Sequence, residues 1–89
     1  MAADTRVAVI GIVIEKDESV GALNEFLHEY AAYIIGRMGI PYRERGINIV
    51  SIAIDAPQDT ISALTGKIGK LPGISVKTAY SSVVTRHEE

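Results

Sequence analysis

The alternation of hydrophobic and polar positions divides the chain into six segments. Arg6 to Glu15 is almost solidly apolar and rich in β-branched residues, the pattern of a strand covered on both faces. Val20, Leu23, Leu27, Tyr30 and Ile34 then recur at spacings of three and four, while Glu18, Glu25, His28 and Glu29 fall off that stripe. This spacing predicts a helix, opened by Asp17 or Ser19 as the capping residue and running to about Ala32. In Tyr33 to Tyr42, Ile34, Ile35 and Ile40 favour a strand and Gly36, Gly39 and Pro41 weaken it, which predicts an edge strand with a bulge. Arg43-Glu44-Arg45-Gly46 reads as a charged turn into a third strand, Ile47 to Ile54, so these two strands should form a hairpin. Ala56-Pro57-Gln58-Asp59 opens a second helix with its stripe on Ile61, Leu64, Ile68 and Leu71. Leu71-Pro72-Gly73 stops it, and Ile74 to Tyr80 alternates as a half-exposed strand.

The order βαββαβ, with right-handed crossovers, predicts an α+β, ferredoxin-like domain: a four-stranded antiparallel sheet with two helices on one face. No linker, repeat or low-complexity segment interrupts it, so residues 1–89 read as one domain with a core over about 6–80 and tails at 1–5 and 81–89. In the first strand both alternating sets are apolar: Ala8, Ile10, Ile12 and Ile14 on one side, Val7, Val9, Gly11 and Val13 on the other. Two helices cover only one side, and an apolar face left in water calls for a partner. A homo-oligomer, dimer or tetramer, is the simplest one. Val7, Val9, Val13 and Ile12 are the candidate interface residues. The bulkier isoleucines suggest the core, and a pair of substitutions at Ile12 and Val9 would tell the faces apart.

At 89 residues and without cysteine, the chain has a modest core and no disulfide to support it, which again favours assembly. A formal charge of -2 lacks the basic footprint of a nucleic-acid binder, so no direct nucleic-acid partner is expected. Absent cysteines exclude thiolate metal sites and cysteine nucleophiles and fit a reducing compartment. No stretch approaches the roughly 20 apolar residues of a membrane span, and Met1 to Arg6 is too polar to begin a signal peptide, so a cytoplasmic protein is expected.

Candidate chemistry is sparse. Glu15, Asp17 and Glu18 cluster with Ser19 where the first strand meets the first helix; carboxylates there either cap the helix or contact a ligand. Gly66 and Gly69 interrupt the second helix off its apolar stripe, each at a cost of about 1 kcal/mol against Ala. They mark either a frayed last turn or the close approach of a ligand or another backbone. Glu15, Asp17, Ser19, Gly66 and Gly69 therefore form the candidate ligand site. Arg37, Arg43 and Arg45 form a second, anion-binding candidate, or else a charged hairpin that protects an edge. His28 and His87, the two histidines, leave a subunit short of a four-ligand metal set, so no metal and no cofactor are expected. No nucleophile triad, phosphate-cradling loop or metalloprotease spacing occurs, and no catalytic residues are assigned.

Leu71-Pro72-Gly73-Ile74-Ser75-Val76 resembles the end of an ACT domain, where a helix closes onto a glycine and enters the last strand. The segments Thr60 to Gly69, Gly73 to Thr78, Asn24 to His28 and Arg37 to Glu44 together resemble the small ACT-like family of iron-only hydrogenase system regulators. The similarity runs over about Arg6 to Tyr80. It implies a βαββαβ regulatory module without established catalytic residues, with a small-molecule effector or a regulatory or maturation protein as partner. ACT-like modules commonly bind effectors between subunits near the first strand–helix turn, which here is Glu15 to Val20. The same fold forms the ligand domain of the nickel-responsive repressor, whose metal ligands would fall near Leu27–His28, Met38, Ile40 and Gly46; of these only His28 carries a metal-binding side chain. Nickel sensing is therefore not expected, nor is DNA reading, for which the chain offers no ribbon or helix-turn-helix.

Overall fold

The computed structural model describes residues 4–85, with side chains to residue 82. Its elements are β1 (Thr5–Ile14), α1 (Val20–Glu29), β2 (Ile34–Tyr42), β3 (Ile47–Ala56), α2 (Gln58–Gly69) and β4 (Ile74–Thr85), with short 3-10 turns at Asp17–Ser19, Ala31–Tyr33 and Arg43–Arg45. The strands form one antiparallel sheet in the order β2-β3-β1-β4. This is the ferredoxin-like arrangement that the element order predicts.

Register decides which side chains share a face. Ile10 lies opposite Ile52 and Thr78, and Ile12 opposite Val50 and Val76. These positions point toward the helices, where Leu23 and Leu27 of α1 and Ile61, Leu64 and Ile68 of α2 close a dry core with Ile10, Ile12, Ile14, Ile52 and Ile54. Ile12 thus belongs to the core, correcting its place among the interface candidates: its strand position faces the helices. Across the top of the helix layer, Lys67 of α2 reaches Glu29 at 3.2 Å and lies over the Tyr30 ring at 5.0 Å. Hydrogen bonds to Tyr30 and Glu29 raise its pKa above the ordinary lysine value.

Several boundaries differ from the sequence reading, each for a local reason. Helix α1 ends at Glu29 rather than near Ala32, because Ile34, counted on the helical stripe, pairs with Ile54 as the first residue of β2. The predicted bulge in β2 lies between Ile34 and Gly36. Neither Asp17 nor Ser19 caps α1 through its side chain. The Ser19 hydroxyl instead donates to the Pro72 carbonyl at 2.6 Å, tying the start of α1 to the loop that ends α2. Strand β4 continues past Tyr80 to Thr85, and β1 begins at Thr5, so residues 81–85 are not a tail. A register shift between Arg6 and Ala8 accommodates the extension. There Arg6 donates to Gln58 at 2.9 Å and to the Ser81 carbonyl at 3.0 Å, and its guanidinium lies 4.7 Å from the Tyr80 ring centroid. His87 lies outside the described residues.

Candidate functional site

The face of the sheet turned away from the helices is uncovered. Val9 at its centre is 45% exposed, and Ile49, Met38, Ile40 and Tyr42 extend the apolar surface toward the β2 corner. Val7 and Val13, on the same face, are half-buried by their neighbours. Within the strands this face carries two charged side chains among the described residues. Asp55 of β3 lies opposite Val7, and Lys77 of β4 lies opposite Gly11. Val9 is one same-face step along β1 from each of those positions, and so stands midway on the diagonal from Asp55 to Lys77. One Asp55 carboxylate oxygen, Oδ1, is shielded from solvent and has no hydrogen-bond partner. A carboxylate oxygen in that position is costly unless a cation or donor arrives.

Of the residues that the sequence suggested for a ligand site, Glu15 and Ser19 are tied to the loop that follows α2, while Gly66 and Gly69 lie in α2 itself. The Glu15 amide donates to the Gly73 carbonyl at 2.7 Å, and Ser19, only 2% exposed, is committed to Pro72. Gly73, at φ 67, needs glycine twice over: its left-handed backbone disfavours a side chain, and a Cβ there would sit 2.6 Å from the Lys16 chain. Helix α2 runs through Gly66 and ends at Gly69. A Cβ at Gly69 would meet Val76 of β4 at an ordinary 3.5 Å, and one at Gly66 would meet nothing. Asp17 instead accepts a long, 3.5 Å hydrogen bond from Asn48 and lines a cleft of about 300 Å³ with Arg43.

The arginines separate as well. Arg43 and Arg45 sit in the 3-10 turn between β2 and β3, whereas Arg37 lies opposite Ile52 on the helix side of the sheet. Its Nη2 donates to Asn24 Oδ1 of α1 at 3.1 Å. Clefts open on both sides of that bridge: one of about 330 Å³ reaches Leu27, His28 and Ile34, and one of about 190 Å³ reaches Ile14, Leu23 and Val50. Sequence reading named Arg37 but missed the second cleft. Its signal was Gly39, two residues after Arg37 and therefore on the same face of an edge strand. Among the described residues, no group of three or more His, Asp or Glu is placed to hold a metal ion, and no helix is long and apolar enough to cross a membrane.

Residues 6–78 match the model of the TM1266-like family, described as "Iron-only hydrogenase system regulator, putative". Among solved structures, the chain is similar to the uncharacterized protein TM1266 from Thermotoga maritima, with 34% identity, a TM-score of 0.82, and coverage of 85% of this chain and 96% of that one. A formyltetrahydrofolate deformylase from Pseudomonas putida KT2440 shares 12% identity at a TM-score of 0.59, over 81% of this chain and 28% of the enzyme. An unknown protein from Galdieria sulphuraria shares 12% at 0.64, over 89% of this chain and 46% of that one. The last two likenesses concern the fold alone. No curated protein matches the chain. The match over most of the chain, the identity to TM1266 and the shared βαββαβ sheet together establish that this chain belongs to the TM1266-like family.

Proposed function

We propose that this chain is a non-enzymatic regulatory module of an iron-only hydrogenase system, acting as a homo-oligomer that responds to a small molecule. The observation that carries the assembly is the open face, with Val9 at its centre and Asp55 and Lys77 placed symmetrically about it. A two-fold axis lying in the contact plane and passing beside Val9 stacks two such faces. It sets each Val9 against its mate and brings each Asp55 over the partner copy's Lys77, giving two equivalent ion pairs. With ordinary strand and residue spacings, the strands of the two sheets then cross at roughly 70°, close to the orthogonal class of sheet packing.

Light scattering on the purified chain tests this. The wild type should run as a dimer or a multiple of it. Val9→Asp should give a folded species of lower mass, with an unchanged circular dichroism spectrum. Asp55→Lys and Lys77→Asp should each loosen the assembly, and the double variant should restore it. A monomeric wild type at high micromolar concentration would sink the assembly. An oligomer that the double variant fails to restore would sink only this two-fold.

The second reading, a structural interaction domain without a ligand, draws on the β2 corner. Ile40 and Tyr42 are exposed and fall outside the overlap of two faces crossed at Val9. That surface suits a regulatory or maturation protein, or a second contact that builds a tetramer. A metabolite screen by melting temperature discriminates the two readings, since a ligand that binds the native state raises stability by mass action.

A further inference from the structure

We infer that the cleft between α1 and β2 is a binding site for a short branched aliphatic carboxylate, with Arg37 holding the carboxylate and the exposed edge of the core holding the aliphatic part. The inference deepens the sensing half of the reading above and is independent of assembly, because the cleft lies within one subunit on the helix side of the sheet.

The cleft exists because of one residue. Arg37, Gly39 and Pro41 are the inward-facing positions of β2, opposite Ile52, Val50 and Asn48. Val20, Leu23 and Asn24 of α1 share the cleft with these positions, so a side chain from β2 would close the core there. Gly39 supplies none. Its φ is not in the left-handed region, and a Cβ built on it would meet nothing within 4 Å, so neither backbone strain nor crowding demands glycine. The consequence is an opening of about 190 Å³ that reaches Ile14, Leu23 and Val50. Val50, at 7% the least covered residue of the core, shows where the apolar interior meets the outside. Pro41 and Val20 line the cleft as well.

At the mouth the chemistry changes. The Arg37 guanidinium has five N–H donors, and its bond to the neutral Asn24 amide uses one of them. No carboxylate of the described residues forms a salt bridge with it. A planar carboxylate matches that donor fork in bidentate geometry, and a charge-assisted pair is about twice as strong as the neutral bond it would replace. An apolar floor a few atoms deep beneath a single cationic fork therefore selects a small molecule with one carboxylate and a compact aliphatic tail. At about 190 Å³ the cleft is below the roughly 300–1,000 Å³ typical of drug-sized ligands, which limits the occupant to metabolite size.

Isovalerate is the probe, with isoamyl alcohol as its uncharged skeleton and inorganic phosphate as an anion without a tail. Titration followed by methyl and amide NMR should show saturable shifts at Leu23, Val50 and Gly39 with a Kd in the range of about 1 mM or tighter. The alcohol and phosphate should each bind at least about tenfold more weakly. Arg37→Gln should weaken isovalerate by a similar factor. Gly39→Leu should abolish binding while melting at or above the wild-type temperature, because the new side chain fills the cleft in place of the ligand. Val9→Asp should bind isovalerate as the wild type does, which keeps the site distinct from the assembly. Absence of saturable shifts, phosphate binding as tightly as isovalerate, or isovalerate shifts that survive both Arg37→Gln and Gly39→Leu would overturn the site. Absence of saturable isovalerate shifts together with a melting shift from some other metabolite, undiminished in Gly39→Leu, would overturn the site while upholding sensing elsewhere.

Discussion

The two faces of β1 are made from nearly the same residues and have opposite fates. Ile10 and Ile12 sit at 0% and 1% exposure beneath the helices, whereas Val9, the residue before Ile10, is 45% exposed. Hydrophobicity alone therefore does not decide burial in this domain. The difference lies in what stands opposite. Two helices bring Leu23, Leu27, Ile61, Leu64 and Ile68 to one face, and no element of the described chain crosses the other. A strand that is apolar on both sides of a sheet covered on one side specifies a fold and leaves an apolar face open, which is the face the proposed assembly would use.

Substitutions on β1 probe this contrast most severely. Ile12→Asp would bury a carboxylate among core side chains with no partner, a loss above about 4 kcal/mol, enough to abolish the native circular dichroism signal. Val9→Asp should retain that signal. If both variants unfold, or neither does, the faces are not as different as their exposure indicates. Truncation in the core should follow the same division. Leu64→Ala should cost about 2–5 kcal/mol in urea unfolding at any protein concentration. Val9→Ala, on the open face, should cost less and, if the proposed assembly forms, should do so in a concentration-dependent way, because Val9 is where the two copies would meet.

Smaller effects sharpen the description of the covered side. Ser19→Ala removes the donor to the Pro72 carbonyl at a partly buried corner and should cost about 0.5–1.5 kcal/mol, detectable as a lower urea midpoint with an unchanged slope. Loss of a helix cap in the ordinary sense would leave the Pro72–Gly73 loop unaffected, so amide exchange at Gly73 and Ile74 separates the two roles. Gly66→Ala should raise stability by about 1 kcal/mol, since the added methyl meets nothing and the helix gains a better former. A loss of stability there would mean that Gly66 faces a neighbouring copy closely.

Much of this was legible in the residues, and the reasons for success and failure are specific. The stripes on α1 and α2 were readable because a helix packed on a sheet must repeat its apolar residues at three and four, and the bulge in β2 because Gly36 follows two isoleucines at an edge. Element ends were less so. Ile34 fits the helical stripe and the strand equally well, and only its pairing with Ile54 settles the matter. Asp17 and Ser19 have the composition of caps, yet the 3-10 turn they form points the Ser19 hydroxyl at Pro72, a residue 53 positions away. Proximity of that kind leaves no local signal. The arginines show the same limit: Arg37, Arg43 and Arg45 are neighbours in sequence, but strand alternation and the turn divide them between the helix side and the hairpin.

The sequence by itself determined the element order, the ferredoxin-like sheet, the family and the presence of an unsatisfied apolar set on β1, because all of these follow from periodicity, turn chemistry and motif. The tertiary structure decided which set faces the helices, since alternation along a strand carries no label for inside and outside until another element packs against it. It also decided that Asp55 and Lys77 flank Val9 and that Gly39 opens a cleft beneath Arg37, because both depend on register between strands distant in the chain, which hydrogen-bond pairing fixes and local sequence does not.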